Sequence, residues 1–321
     1  MLLVCLLAAA TVRAAGKYDN PDTITVARDG TGEFRNINDA IEVCRAFMDY
    51  HKVIFVKRGV YKEKVIVPSW LTNIEICGED RDQTIITYDD HANIALPATQ
   101  RPMGTFRTYT LKIEGCDITL KNITVKNNAA RLGQAVALHT EGDRLRFVHC
   151  RFLGNQDTVY TGMGGTRLAF DNCYIEGTTD FIFGPSTAWF DHCTLHCKAN
   201  SYITAASTPA NQPYGYVFSH CTITADTTVT KVFLGRPWRP YACTLFMNCE
   251  LPSCIRPQGW ANWENPDNER TARYAEYNNY GPGADTRQRV PWSRQLSAKE
   301  AKAVTPERVF ELKSSWNPML P

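Results

Sequence analysis

Two aspartates, Asp157 and Asp180, are the residues whose type and spacing indicate chemistry most directly. They lie 23 residues apart, which is about one coil of a β-solenoid, whose repeats run roughly 20–45 residues. Stacked coils would therefore bring the two carboxyl groups together. Two close carboxyl groups separate their pKa values, so that one stays ionised while the other holds a proton. Such a pair can supply a nucleophile and a general acid to one reaction.

Two further side chains could assist this pair. Gln134 precedes Asp157 by another 23 residues, so its amide could donate a hydrogen bond to a developing oxyanion. Arg236, within a Leu-Gly-Arg-Pro-Trp run, could clamp a carboxylate through two hydrogen bonds and keep it ionised. Asp180 begins an Asp-Phe-Ile-Phe run, which predicts a strand that directs its carboxyl group away from the aromatic side chains.

The elements that must position these side chains are six short segments that resemble each other. Five of them consist of His or Asn, then Cys, any residue and an apolar residue, and the sixth lacks the cysteine. A recurrence every 20 to 28 residues indicates a coiled repeat architecture. Because residues two places apart share one face of a strand, the cysteines are predicted to form a column inside the solenoid. The segments begin at Asn122, His149, Asn172, His192, His220 and Asn248.

Both ends of the chain are predicted to carry capping helices that shield the open core of the solenoid. Near the C-terminus, Ser297 and Glu300 form a capping box, and Thr305 followed by Pro306 starts a second helix. We expect one all-β domain over residues 16–321. Near the N-terminus, an amphipathic helix is indicated by apolar residues at helical spacing, namely Ile37, Ala40, Ile41, Cys44 and Met48.

Composition and charge are those of an exported globular protein. Residues 1–15 contain a short apolar run that ends in small residues, which is typical of a secretory signal and too short to span a bilayer. The net charge of +2 argues against a nucleic-acid partner, and no later stretch is apolar enough to cross a membrane. Removal of the signal would leave 11 of the 12 cysteines, an odd number whose pairing stays open.

The motifs of several other hydrolytic and metal sites are absent from the sequence. It contains no G-x-S-x-G, H-E-x-x-H or C-x-x-C run. The adjacent His–Cys pairs could suggest metal ligands, but neighbouring residues on a strand point to opposite faces and could not easily share an ion. The pattern therefore favours packing over metal binding, and neither a metal nor an organic cofactor is expected.

The chain resembles the pectin methylesterases, which are carbohydrate esterases built on a right-handed parallel β-helix. The resemblance runs in the family's order from about Ile24 to the C-terminal helices. It implies an all-β, right-handed parallel β-helix (solenoid) with an N-terminal capping helix and C-terminal helices. The matching runs are Gly59-Val60-Tyr61-Lys62-Glu63, Gln134-Ala135-Val136-Ala137-Leu138, Gln156-Asp157-Thr158, Asp180-Phe181-Ile182-Phe183-Gly184 and Leu234-Gly235-Arg236-Pro237-Trp238.

The resemblance also implies roles for individual residues. By motif, the family's nucleophile falls on Asp180, and its general acid and base falls on Asp157. Gln134 and Gln156 match the glutamines that stabilise the tetrahedral intermediate, and Arg236 matches the arginine that orients the nucleophile. Because Gln156 and Asp157 are adjacent, both can reach one cleft only if the backbone turns or bulges near Gly154-Asn155.

Two tryptophans, Trp238 and Trp260, match aromatic residues that line the family's sugar cleft. Each follows a turn-forming residue, Pro237 or Gly259. Large aromatic side chains are buried on average. We nevertheless expect both indole rings to be partly exposed and to stack on the faces of uronate sugars.

The function that the resemblance implies is that of a secreted, monomeric pectinesterase. Such an enzyme removes methyl groups from methyl-esterified homogalacturonan in pectin and releases methanol, with no nucleic-acid partner and no membrane. Three alternatives stay open: a β-helix lyase or polygalacturonase, an esterase for another acyl ester, and a polysaccharide-binding protein without activity. The complete set of motifs favours the methylesterase.

Overall fold

The computed structural model describes residues 16–311 and 316–318, and these residues form a parallel β-helix with a few short helices. The predicted all-β solenoid is therefore confirmed. The predicted secretory signal, residues 1–15, lies outside the described residues. Within the described part of the chain, no helix has the length and apolar character needed to cross a bilayer.

The strands are short because the chain turns after each one to begin the next side of the coil. In chain order they are β1 (Ile24–Val26), β2 (Lys52–Val56), β3 (Gly59–Lys62), β4 (Val65–Val67), β5 (Thr72–Gly78), β6 (Thr84–Tyr88), β7 (Leu111–Ile113), β8 (Cys116–Lys121), β9 (Thr124–Asn127), β10 (Leu138–Thr140), β11 (Leu145–Val148), β12 (Arg151–Leu153), β13 (Val159–Thr161), β14 (Arg167–Asp171), β15 (Tyr174–Gly177), β16 (Ile182–Gly184), β17 (Thr187–Asp191), β18 (Thr194–Cys197), β19 (Tyr202–Ala206), β20 (Tyr216–Ser219), β21 (Thr222–Ala225), β22 (Phe233–Gly235), β23 (Cys243–Met247), β24 (Arg273–Tyr277) and β25 (Arg294–Gln295). The helices are α1 (Ile37–Glu42), α2 (Asn268–Thr271), α3 (Ala298–Lys302) and α4 (Pro306–Val309), with a 3-10 turn over Thr105–Arg107.

Three parallel sheets form the sides of the solenoid. Sheet 1 has the order β1-β2-β5-β8-β11-β14-β17-β20-β23-β24-β25, sheet 2 the order β4-β7-β10-β13-β16-β19-β22, and sheet 3 the order β3-β6-β9-β12-β15-β18-β21. Each full coil therefore adds one strand to each sheet. Equivalent positions of successive coils lie one strand spacing apart, which is about 4.8 Å.

Side chains inside the solenoid stack in columns because successive coils are in register. One column consists of five phenylalanines whose ring centroids are 4.3 to 4.5 Å apart at interplanar angles of 11° to 19°. A second consists of five buried cysteines, which confirms the predicted column. The two columns are Phe147, Phe170, Phe190, Phe218, Phe246 and Cys150, Cys173, Cys193, Cys221, Cys249.

The residues that open the repeated segments turn the chain from sheet 1 into sheet 3. All six have a left-handed backbone with φ between 50° and 55°. The turn leaves His149 exposed while Cys150 is fully buried, and the His149 Nδ1 atom lies 2.9 Å from Asn122 Oδ1. A histidine and its neighbouring cysteine therefore face different environments. Among the described residues, no group of three or more His, Cys, Asp and Glu side chains is placed to hold a metal ion.

The N-terminal helix is present but shorter than predicted. It ends at Glu42, whereas Cys44 and Met48 are buried beyond its end. Phe47 has a left-handed backbone, with φ of 54°, which is incompatible with a continued helix. Buried apolar residues therefore recur at helical spacing beyond the end of the helix, where the chain turns. The spacing alone does not show where the helix ends.

The C-terminal capping motifs are confirmed, but the helices that they start do not close the end of the solenoid. Ser297 Oγ accepts a hydrogen bond from the Glu300 N–H at the start of α3, and Thr305 caps α4. Helix α4 contacts β17, and the Arg167 guanidinium donates to the Phe310 carbonyl oxygen at 3.2 Å. The helices cover the outer face of sheet 1, where the buried apolar residues are Ala169, Trp189, Val217, Leu245 and Met247.

Candidate active site

Asp157 and Asp180 occupy the same position in two successive coils. β13 and β16 pair in parallel with Val159 opposite Ile182, and each aspartate lies two residues before its paired residue. Both have a left-handed backbone, with φ of 65° and 49°. The prediction that Asp180 lies on a strand is wrong, because it belongs to the bend before β16. Aspartate tolerates this conformation better than most residues because its short polar side chain can hydrogen-bond locally.

Backbone hydrogen bonds between coils hold the two aspartates in this register. The N–H of Asp157 donates to the Thr179 carbonyl oxygen at 3.1 Å, and the N–H of Asp180 donates to the Tyr202 carbonyl oxygen at 2.9 Å. The distance between the two residues is therefore determined by the spacing of the coils. Although both residues lie in turns, hydrogen bonds between stacked coils hold the pair of carboxyl groups on a rigid scaffold.

Gln156 and Asp157 are both part of a turn between β12 and β13. The predicted turn of the backbone near Gly154-Asn155 is confirmed. Because Asp157 is left-handed, the two side chains do not alternate as they would on a strand, and both line the same cleft.

Arg236 follows β22, the strand two coils beyond Asp180, and forms a bidentate ion pair with it. The Arg236 Nε atom lies 2.9 Å from Asp180 Oδ1, and Nη2 lies 2.6 Å from Oδ2. The Asp180 side chain is 6% exposed and that of Arg236 is 20% exposed. A paired, mostly buried geometry of this kind holds the carboxylate oxygens in one orientation.

The two aspartates differ in their electrostatic surroundings. Burial raises the pKa of Asp157 well above its usual value, the charge of Asp180 raises it further, and Arg236 opposes the shift. Burial also raises the pKa of Asp180, but here the hydrogen bonds and the charge of Arg236 act directly against it. Because the cation contacts only Asp180, we assign the ionised form to Asp180 and the retained proton to Asp157.

These residues line a cleft of about 220 Å³. It contains every site residue predicted from the sequence except Trp260. Within the described part of the chain, the side-chain amides of Gln134 and Gln156 have no hydrogen-bond partner, so both are available to a ligand. The lining residues are Thr105, Phe106, Gln134, Gln156, Asp157, Asp180, Phe183, Ala205, Arg236, Trp238 and Trp263.

Trp260 does not belong to the cleft, and the prediction that its ring is partly exposed is wrong. It is 1% exposed, its Nε1 donates to Glu276 Oε1 at 3.3 Å, and its ring stacks on Tyr274 at 4.3 Å. The pairing of the coils explains this burial. Trp260 pairs with Gly235 of the preceding coil, and because glycine has no side chain, the indole ring fits beside it. Trp238, in contrast, is partly exposed as predicted and lies 5.8 Å from Phe183.

Sequence reasoning missed two aromatic residues that contact Arg236. The guanidinium carbon lies 4.0 Å from the ring centroid of Tyr202 and 3.7 Å from that of Trp263. Trp263 lies only three residues after Trp260, so the Gly-Trp motif led to the correct loop but to the wrong ring. Tyr202 could have been found by extending the 23-residue spacing to one more coil, because it follows Asp180 by 22 residues.

The arrangement suits acyl transfer at an uncharged ester. A carboxylate held by an arginine can attack a carbonyl carbon, and a neighbouring protonated carboxyl group can protonate the leaving oxygen. The two free amides that line the cleft can donate to the oxyanion. The aromatic residues around this centre offer flat surfaces to a cyclic ligand.

Comparisons with known proteins show which esterases this chain is similar to. The profile of the Pectinesterase family matches residues 23–312. The chain is 40% identical over 283 residues to Pectinesterase 31 of Arabidopsis thaliana, covering 87% of this chain and 89% of that protein. Its structure is similar to that of a pectin methylesterase from carrot, with a TM-score of 0.83 at 32% identity over 89% and 92% of the two chains. It is also similar to a pectin methylesterase in complex with a hexasaccharide, with a TM-score of 0.80 at 28% identity over 93% and 98%.

Proposed function

Because the chain belongs to the pectinesterase family, which is a family of esterases, we propose that it hydrolyses the methyl esters of galacturonate in pectin and releases methanol. Membership of the family supports the reaction and the substrate class. The assignment of residues rests on the ion pair between Asp180 and Arg236. Asp157 occupies the position equivalent to that of Asp180 in the preceding coil.

In the first step, a carboxylate oxygen of Asp180 attacks the carbonyl carbon of the methyl ester. The carbonyl oxygen takes the negative charge, and the amides of Gln134 and Gln156 donate hydrogen bonds to it. When the tetrahedral intermediate collapses, the bond to the methoxy oxygen breaks and Asp157 transfers its proton to that oxygen. Methanol leaves, and an acyl anhydride joins the sugar to Asp180.

In the second step, Asp157 is a carboxylate and takes a proton from a water molecule. The resulting hydroxide attacks the same carbonyl carbon, the bond to Asp180 breaks, and the uronic acid is released and ionises. Asp157 is protonated again and Asp180 is again a carboxylate, so the enzyme returns to its initial state. The cycle consumes one water molecule and needs no metal or organic cofactor.

The remaining residues of the site orient the reactants. Arg236 holds the Asp180 carboxylate in one orientation and favours its ionised form. Trp238, partly exposed on the cleft wall, offers a ring on which a uronate sugar can stack. Arg236 and Trp238 both line the cleft, so the ion pair and the aromatic ring can contact the same substrate.

We extend the proposal to the whole chain. Residues 1–15 are a secretory signal, residues 16–321 form one β-helix domain, and the protein acts outside the cell as a monomer on pectin. A near-neutral net charge of +2 agrees with a carbohydrate partner in place of nucleic acid.

The test is release of methanol from highly esterified pectin by the wild type and by Asp180→Asn. The substitution keeps the shape of the side chain but removes the nucleophile, so the rate should fall to background. A measurable melting transition shows that the variant still folds. Equal rates for the two proteins would end the assignment of Asp180. New reducing ends or unsaturated products from the wild type would indicate a hydrolase or a lyase instead.

A further inference from the structure

The guanidinium of Arg236 packs against two aromatic rings. Its central carbon lies 4.0 Å from the Tyr202 centroid and 3.7 Å from the Trp263 centroid, while one edge donates to Asp180. A planar guanidinium stacks well on aromatic faces, and the attraction grows when water is excluded. Packing against these rings therefore restricts how far the Arg236 guanidinium can move from its place beside the carboxylate.

Tyr202 reaches this position through the register of the solenoid. Thr204 pairs with Ile182, which places Tyr202 one coil beyond Asp180 at the equivalent position, and its carbonyl oxygen accepts the Asp180 N–H. The ring is supported from behind, because it stacks on Phe233 of the next coil at 5.4 Å and 10°. The guanidinium of Arg256 lies over the Phe233 ring at 4.8 Å from its centroid, so a second cation also packs against this stack.

Trp263 reaches Arg236 by means of an unusual loop. Trp263 and Glu264 both have a left-handed backbone, with φ of 61° and 54°, a conformation that is unfavourable for residues with a side chain. The loop is held by the Asn262 amide, which donates to Glu269 at 2.7 Å, and by the buried Asn268, which donates to the Asn262 carbonyl oxygen at 3.0 Å. Strained backbone of this kind persists where surrounding contacts enforce it, and it clusters at functional sites.

We propose that Trp263 and Tyr202 are positioning residues that clamp Arg236 against Asp180 and thereby keep the nucleophile ionised and oriented. The inference rests on the proposed roles of Asp180 and Arg236. Without the clamp, the Arg236 side chain could move into the open cleft and water could enter between the two charges. The fraction of enzyme with a correctly placed carboxylate would then fall.

The competing role for Trp263 is that of a surface for the sugar, since it also lines the cleft. The two roles differ in the kinetic constant that they affect. Loss of a sugar contact that is equal in the ground and transition states raises KM, whereas loss of the clamp lowers kcat. The clamp also affects the acid limb of the pH profile, because a carboxylate that loses its cation is protonated more readily. Arg236 lowers the pKa of the Asp180 carboxyl against the effect of burial, and the charge of Asp180 in turn raises the pKa of two neighbours, Asp157 from the preceding coil and the buried Tyr274.

The experiment compares Trp263→Leu with Trp263→Phe, which keeps an aromatic face, and measures methanol release across pH. We expect kcat of the Leu variant to fall about 10- to 30-fold, because a desolvated cation–π contact is lost. Its acid limb should move to higher pH. The Phe variant should stay within about threefold of the wild type on the same grounds. Trp70→Leu is the control for loss of an indole, because Trp70 is 51% exposed and does not line the cleft.

Trp238→Leu provides the contrast within the cleft, since it should raise KM and leave the acid limb unchanged. If Trp263→Leu changes KM alone, or if Trp263→Phe is as defective as Trp263→Leu, the clamp is refuted. Should the Leu variant fail to fold, Tyr202→Leu and Tyr202→Phe make the same comparison at the second ring. Activity of Asp180→Asn at the wild-type rate would refute the proposed function itself, so the two failures can be distinguished.

Discussion

Replacing Arg236 tests the central ion pair of the site most directly. Arg236→Ala would remove both hydrogen bonds to Asp180, at 2.9 and 2.6 Å, from a carboxylate whose side chain is 6% exposed. A hydrogen bond to a charged group contributes about 1.5–3 kcal/mol, and breaking a buried ion pair costs about 3–5 kcal/mol. Two such hydrogen bonds give about 3–6 kcal/mol, which agrees with the ion-pair estimate. A loss of about 3–5 kcal/mol should lower kcat by roughly 10²- to 10⁴-fold at the wild-type optimum.

The same substitution should change the dependence on pH in a defined direction. Burial already raises the pKa of Asp180, and Arg236 is the group that opposes the shift. In the variant the folded pKa rises further, so the carboxylate needed for attack forms only at higher pH and the acid limb of the profile moves upward. A group whose folded pKa is raised contributes stability at low pH that is lost as pH rises through that pKa. Arg236→Ala should therefore melt close to the wild type in acid and fall below it at neutral pH.

Arg236→Lys is the matched control, because it keeps the positive charge but cannot form the bidentate pair. Its acid limb should move less than that of Arg236→Ala, while its kcat should still be reduced. The assay is methanol release from esterified pectin at several pH values, with thermal melting in the same buffers. A kcat within threefold of the wild type, together with an unmoved acid limb in the folded Ala variant, would show that Arg236 does not hold the nucleophile.

Three further outcomes follow from the site and the core. Asp157→Asn should lose about 10²- to 10⁴-fold in kcat as the general acid disappears. It should also melt above the wild type at neutral and alkaline pH but not in acid. Because burial raises the folded pKa of Asp157, the wild type loses stability as pH rises from the unfolded pKa to the folded pKa, and the Asn variant does not. Gln134→Leu should lower kcat by about 10²- to 10³-fold with KM within threefold, as expected for an oxyanion donor, and a change in KM alone would argue for ground-state binding. Trp260→Ala should lower the free energy of unfolding by about 3–5 kcal/mol in chemical denaturation. Trp238→Ala should raise KM more than it lowers kcat, at unchanged stability. A Trp260→Ala variant of unchanged stability and raised KM would place Trp260 in the cleft.

The features that could be predicted from the sequence are those that repeat from coil to coil. The cysteine column follows from a period-2 pattern within each segment, and the 23-residue spacing placed Asp157 and Asp180 in neighbouring coils. Periodicity of this kind is preserved because every coil must bury the same face. A pattern that recurs is therefore informative about stacking, even when no single coil identifies its own strands.

The features that could not be predicted are those that depend on a single backbone conformation. Nothing local to Asp180 distinguishes a strand residue from a left-handed bend, and the Phe-Ile-Phe run that follows it favoured the strand. Likewise, Trp260 is buried where it pairs with Gly235 of the preceding coil, and Trp263 reaches the cleft through a left-handed loop. Composition reveals neither feature. The same limitation applies to Phe47, whose left-handed backbone ends a pattern that reads as one longer helix.

The solenoid creates two equivalent carboxyl groups, and the proposed reaction requires them to be different. Asp157, Asp180, Tyr202 and Phe233 lie at the same position in four successive coils, so backbone geometry alone gives the two aspartates the same surroundings. The difference arises on the side of Tyr202, where Arg236 contacts Asp180 and not Asp157. In the proposed reaction, one cation from two coils away therefore decides which carboxyl group attacks and which one holds the proton. It follows that the division of roles between the aspartates depends on whatever keeps that cation in place, and a second cation placed beside Asp157 should weaken or reverse it.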